Sequence, residues 1–254
     1  MKVLYKTAEE GCEIVVADTD ELYGEKGRFR VLQFSEELVQ GALDLDQPER
    51  IVFEYPRAIL HLMEWNRPGF EDVFLIGHGI GTLLGALSGK NVTTAELSQA
   101  VVDLSRLYFG SSAEDRIGIG DGRQLLERED DGSLDYIVLD AFSGSGTPRH
   151  LISRGMFSLA GKKLNNRGML IMNATGRGKN DRLIQSVHST LASVFPYTLA
   201  FILPSADPAA PKNLILAGAR RPIVYKSRQM AGFTEIVLPP GDVIRDADGG
   251  RATF

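Results

Sequence analysis

The 254-residue sequence predicts an α/β fold: a doubly wound, mostly parallel sheet covered by helices, with a small β unit in front of it. Three observations carry this. From residue 71 onward, short apolar runs alternate regularly with amphipathic stretches. Several of those runs end in glycine or an acid, the residue types found where strands turn into helices. The first fifty residues, by contrast, show β-prone runs broken by turn-like or charged stretches.

Within that leader, residues 13–17, 29–34 and, more weakly, 41–45 read as strands, separated by 18–21 and 24–27. Residues 54–65 place apolar side chains at helical spacing and stop at Asn66-Arg67-Pro68-Gly69. The alternation then begins with a buried strand over 73–77 and a small-residue helix over 79–87. A strand over 91–96 and an amphipathic helix over 99–108 follow. Next come a brief strand at 116–119, a helix over 122–129 and the most apolar strand of the set, 134–140. A helix over 156–164, a strand over 169–173 and a helix over 181–194 continue the pattern. Two closing strands, 197–203 and 213–218, joined by the Pro-rich stretch 204–211, read as an antiparallel hairpin at the sheet edge. The chain thus divides into a β unit (1–50), a nucleoside-binding domain (51–220) and a C-terminal tail (221–254). Packing on a partner subunit is the expectation for that tail.

Composition narrows the function. Hydrophobic residues at 43% and charged residues at 24% suit a packed domain rather than a disordered chain. A net charge of -5 argues against a nucleic-acid binder, which needs a basic surface. The single cysteine, Cys12, allows no intramolecular disulfide and no zinc cluster, and His61, His78, His150 and His188 lack ligand spacing, so no metal is expected. The amino terminus has no signal-peptide core and no apolar run approaches a bilayer span, so the reading is cytoplasmic, with no membrane partner.

Four features carry chemistry. Gly77-His78-Gly79-Ile80-Gly81 is a G-x-G-x-G turn directly after a strand and opening a helix, as in Rossmann-like folds. Glycines let the chain turn sharply and let a ligand lie on the backbone. Glu96 ends the second strand about fifteen residues beyond Gly81, where a carboxylate can accept bonds from both ribose hydroxyls, with Leu97 beside it. Glu96 can equally start the next helix as a cap. Asp121 and Gly122, after the third strand, can meet an adenine amine and ring; the bland reading of Asp121 is an N-cap. Asp140 ends the central strand before a loose Gly/Ser stretch, where it can orient or deprotonate a nucleophile or simply satisfy loop amides. Together these favour an adenosine-containing ligand. Lys162-Lys163 reads as a solvated helix face, and His61 and Trp65 as packing or surface residues.

The order of these segments resembles the spermidine synthase family of polyamine aminopropyltransferases, on the class I methyltransferase fold, from about Phe29 to Gly176. The resemblance rests on 74–81, Ala95-Glu96-Leu97, Leu107-Tyr108-Phe109, Gly120-Asp121-Gly122-Arg123 and 135–140. It implies transfer of an aminopropyl group from decarboxylated S-adenosylmethionine to a small-molecule amine, with dimers as the family's usual assembly. It also implies that Glu96 holds the ribose, Asp121 the adenine, and Asp140 is catalytic, with Gln33, Tyr55 and Ser143 on the substrate side.

The chain departs from the family in three places. The family's Asp in the glycine turn is Ile80 here, its second Asp after the catalytic one is Ser143, and its Tyr-His-Glu is Tyr55-Pro56-Arg57. Each lost charge-assisted hydrogen bond to a cationic amine costs roughly 1.5–3 kcal/mol. Three readings follow: an aminopropyltransferase with altered amine recognition, a methyltransferase using S-adenosylmethionine, and a nucleoside-binding protein without catalysis.

Overall fold

The computed structural model describes residues 1–9, 12–34, 38–142, 146–205 and 210–246. Strands β1 (Lys2–Glu9), β2 (Cys12–Leu22), β3 (Glu25–Phe34) and β4 (Leu38–Asp44) form an antiparallel sheet in chain order. Strand β1 has no counterpart in the sequence reading. It is an edge strand whose side chains are mostly exposed, so it carries little apolar alternation. Residues 18–21, expected as a break, lie inside β2. Their charge is accommodated because Arg30 on β3 grips the Asp18 carboxylate through Nε at 2.8 Å. The turn falls instead at Tyr23-Gly24, both with positive φ (50° and 84°), the conformation of a two-residue type I′ hairpin.

The main sheet runs β12-β10-β11-β9-β8-β5-β6-β7. Strands β5 (Asp72–Ile76), β6 (Asn91–Glu96), β7 (Ile117–Ile119), β8 (Leu134–Leu139) and β9 (Leu164–Gly176) are parallel. Strand β11 (Lys212–Ala219) inserts antiparallel between β9 and β10 (Tyr197–Ile202), and β12 (Thr234–Glu235) closes the edge. Chain order reverses at β5 and β8, the switch point of a doubly wound sheet. The α/β class and mostly parallel sheet stand as expected.

Alternation along each strand feeds two cores. Phe74, Ile76, Ile137 and Leu139 face α4 (Gly122–Glu127), α5 (Arg154–Lys163) and α6 (Arg182–Ala192). Val73, Leu75, Tyr136 and Val138 face α1 (Glu54–Asn66) and α2 (Thr82–Ala86). Helix α3 (Gln99–Phe109) meets the N-terminal sheet: its Val101 and Leu104 pack with Ile80 from the glycine turn against Ile14, Val16 and Leu32. Ile80 is only 8% exposed, and a Cβ on Gly41 would lie 2.7 Å from its Cγ2, so the seam admits no extra atom there. Arg30 also donates to the Tyr108 carbonyl, and Ser98 to Glu9, pinning the sheet to both ends of α3.

The described part of the tail packs on its own chain. Met230 and Phe233 are buried, and Arg154 donates its N–H to the Ile244 carbonyl at 2.8 Å. Gly241 and Ile244 donate to Ser189 and Thr190 of α6, both at 2.8 Å. Lys163 is likewise not on a solvated face. It is 6% exposed and its ammonium reaches the Glu129 carbonyl and Asp131. No helix among the described residues is long and apolar enough to cross a membrane.

Because Ile80 is buried in the seam between the two sheets, Ile80→Ala is expected to lower unfolding free energy by about 2–5 kcal/mol in urea titration.

Candidate active site

The carboxyl ends of the parallel strands meet along one edge, and the tightest approach is at the switch point. A Cβ on Gly77 would lie 2.0 Å from the Asp140 carbonyl oxygen, and Gly77 has φ +101°, so only glycine fits. The Asp140 N–H donates to the Ile76 carbonyl at 2.8 Å. This places Asp140 directly beside the glycine turn.

Glu96 reaches across to the same turn. Its Oε2 accepts from the His78 N–H at 2.9 Å and its Oε1 from the Ser98 N–H at 3.0 Å. Glu96 does not cap α3; Ser98 does, its Oγ accepting from Val101 N–H at 3.1 Å. A carboxylate has about four acceptor directions, so two bonds leave capacity for a diol. Leu97 is 57% exposed beside Glu96, and Ile119, paired with Glu96 across the strands, is 44% exposed. Two exposed aliphatic side chains at adjacent strand ends suit the faces of a flat ring. Ile119 was not picked out from sequence, where an apolar residue ending a strand looks like core.

His78 contributes backbone rather than side chain. Its ring points into α3, with Nε2 2.8 Å from the Ser105 hydroxyl, and burial pushes its pKa down to about 4. The helix after the turn is shorter than expected: α2 begins at Thr82 after Gly81 (φ +86°), so Gly79 stays in the turn with φ +54°. Gly122 is required by contact, since a Cβ there would lie 2.4 Å from Ile76 Cγ2. Asp121 does cap α4, Oδ1 accepting from the Gln124 N–H at 3.0 Å, and its Oδ2 lies 2.6 Å from His150 Nε2. His150 escaped the sequence reading, because the pair is formed across 29 residues.

On the other side of Asp140, Asn173 of β9 donates from Nδ2 to Oδ1 at 2.9 Å, and the Tyr55 hydroxyl at the start of α1 hydrogen-bonds the same carboxylate. Asn173 is 3% exposed, and its Oδ1 has no partner among the described residues. Burial raises the Asp140 pKa; the bonds from Asn173 and Tyr55 pull it back, and the Glu96 charge pushes it up again. Burial and the adjacent carboxylate hold the Tyr55 phenol well above its usual value. Gln33 lies on β3, paired with Val15 and Val39, so it comes from the N-terminal sheet rather than the switch point. Ser143 lies outside the described residues.

A family model described as the spermine/spermidine synthase domain matches residues 52–216. The chain belongs to that family. A curated polyamine aminopropyltransferase from Vibrio vulnificus is 30% identical over 166 residues, 62% of this chain and 54% of the relative, so the chain spans about half of that protein. Putrescine N-methyltransferase 1 from Nicotiana tabacum is 28% identical over 153 residues, 56% of this chain and 41% of the relative. The crystal structure of a probable spermidine synthase from Corynebacterium glutamicum superposes with a TM-score of 0.82 at 17% identity, covering 100% of both chains. That likeness is one of fold, and it extends through the N-terminal sheet.

The bonds to Asp140 give a direct test. Hydrogen bonds to a carboxylate favour its ionised form. Tyr55→Phe removes one, so the Asp140 pKa is expected to rise further, seen as a titration shifted to higher pH in carboxyl-carbon NMR.

Proposed function

We propose that the protein transfers an alkyl group, foremost aminopropyl, from an S-adenosyl nucleoside to a small-molecule amine. The observation that carries this reading is the cluster at the switch point. Asp140, the Tyr55 hydroxyl and the Asn173 oxygen, which has no partner among the described residues, converge beside a glycine turn that abuts Glu96. An amine presents N–H donors, and this cluster supplies acceptors. The adenosine half of such a nucleoside also fits: Glu96 for the ribose, Leu97 and Ile119 against the purine, and Gly77, Gly79 and Gly81 where the backbone must be approached closely. The kinship with polyamine aminopropyltransferases supports the same chemistry.

The bound nucleoside supplies a carbon activated by its neighbouring sulfonium. The chain's part is to hold a neutral amine in line with that carbon, an arrangement that accounts for most of the rate in such displacements. Asp140 accepts a hydrogen bond from the attacking nitrogen, and its raised pKa suits it to receive the proton released when the new N–C bond forms. Tyr55 and Asn173 fix the carboxylate's orientation. Electrons of the broken C–S bond stay on sulfur, leaving a neutral thioether.

One observation favours a second reading, methyl transfer from S-adenosylmethionine. Ile80 stands where the family has an acid for the aminopropyl ammonium, and it is buried in the seam with Ile14 and Leu32 rather than facing a ligand. The similarity to a putrescine N-methyltransferase points the same way.

Calorimetric titration with decarboxylated and intact S-adenosylmethionine separates the two, followed by product analysis. Tighter binding of the decarboxylated form, with release of methylthioadenosine, is expected. S-adenosylhomocysteine as product replaces aminopropyl by methyl transfer, and binding of neither compound removes the nucleoside assignment. Asp140→Asn is expected to abolish turnover with nucleoside affinity within about twofold and with higher thermal stability, because it removes a desolvated charge. Full activity in that variant takes Asp140 out of the mechanism.

A further inference from the structure

The most unusual contact outside the Asp140 cluster is the His150–Asp121 pair. Capping a helix does not call for it. Asp181 caps α6 with backbone donors alone, Leu183 and Ile184 N–H to Oδ1 and Arg177 N–H to Oδ2. Asp121 instead uses one oxygen for its cap and offers the other to an imidazole at 2.6 Å, and both side chains stay partly open to solvent, at 27% for His150 and 16% for Asp121. At that separation two acceptors would repel, so Nε2 carries the hydrogen and donates it.

His150 is itself held at its other end. It sits in a short 3₁₀ helix, Arg149–Leu151, and its carbonyl accepts from Arg123 Nη1 at 3.3 Å. Arg123 follows Asp121 by two residues, so the contacts close a ring: Asp121, Gly122, Arg123, the His150 carbonyl, the His150 imidazole and back to Asp121. From behind, Asp246 of the tail holds Arg123 and also accepts from Ser153 Oγ at 2.8 Å and the Gly155 N–H at 3.1 Å. With χ fixed by the cap and Oδ2 fixed by His150, each Asp121 oxygen keeps one acceptor direction in place.

We infer that His150 is a positioning residue that aims the Asp121 carboxylate at the exocyclic amine of a purine, and so sets the protein's preference for adenine over a 6-oxo base. This rests on the nucleoside reading above. Asp121 accepts and cannot donate, so it welcomes an amine and repels a carbonyl; His150 keeps the carboxylate pointed so that the difference is felt.

The test is calorimetric titration with methylthioadenosine and with its 6-oxo (hypoxanthine) analogue, on the wild-type chain, His150→Ala, His150→Gln and Asp121→Asn. The wild type is expected to prefer adenine at least about tenfold, the size of one charge-assisted hydrogen bond. His150→Ala should lose most of that ratio, chiefly by weaker methylthioadenosine binding. His150→Gln, which keeps an N–H donor, should recover it to within about threefold of wild type. Asp121→Asn, whose amide can donate to a carbonyl, should narrow or invert the ratio. If Asp121→Asn shifts the ratio while His150→Ala leaves it unchanged, or His150→Gln fails to restore it, the positioning role is overturned and the nucleoside reading stands. If the wild type shows no preference, or Asp121→Asn does not alter it, Asp121 is not at the purine and both ideas fall together. A uniform loss for both ligands in His150→Ala marks a merely structural histidine.

Discussion

The constraint on which the rest of the molecule depends is the contact between Gly77 and the Asp140 carbonyl. Two parallel strands, β5 and β8, end side by side, and their following segments leave in opposite directions. The backbone at this point has no room for a side chain: a Cβ would stand 2.0 Å from the oxygen. Everything at the carboxyl edge is measured from that contact. It puts the glycine turn within reach of Glu96 on one side and Asp140 on the other. It also sends the next residues toward the N-terminal sheet, where Ile80 joins Val101 and Leu104 in coupling the two sheets.

That coupling explains how a departure from the family can be structurally favourable and functionally consequential at once. An acid in the turn faces a ligand; an isoleucine there faces Ile14, Val16 and Leu32. The burial of an aliphatic side chain strengthens the seam by roughly 1.5–3 kcal/mol. Under the proposed function it also leaves one anionic anchor fewer for a cationic substrate. The remaining acceptors are gathered around Asp140, where burial and the Glu96 charge raise its pKa and bonds from Tyr55 and Asn173 restrain the rise. A carboxyl tuned in this way is closer to proton exchange with an amine than a solvated one.

The tail adds a further tie. Its described residues cover α6 and α5, and Asp246 holds the arginine that follows Asp121. Asp121 is therefore braced through contacts from the described part of the tail, and a segment with no periodicity of its own acquires a defined path because it satisfies donors on helices already in place.

The sequence by itself determined the alternating strands and helices, the glycine turn, and the acids that end the strands, because period-2 and period-3.6 patterns and backbone demands are local. Asp140, Glu96, Asp121 and Gly77 were legible for that reason. The edge strand β1 was not, since an exposed strand has no apolar stripe, and charged residues 18–21 looked like a break until Arg30 paired with Asp18 across the sheet. Only the tertiary structure decided that His78 turns its ring away from the edge, that Lys163 is buried, and that Asn173 and His150 join Asp140 and Asp121. Those partnerships span about thirty residues of chain. No local pattern encodes them: the side-by-side register of β8 and β9 brings Asn173 to Asp140, and the packing of the 3₁₀ turn against α4 brings His150 to Asp121.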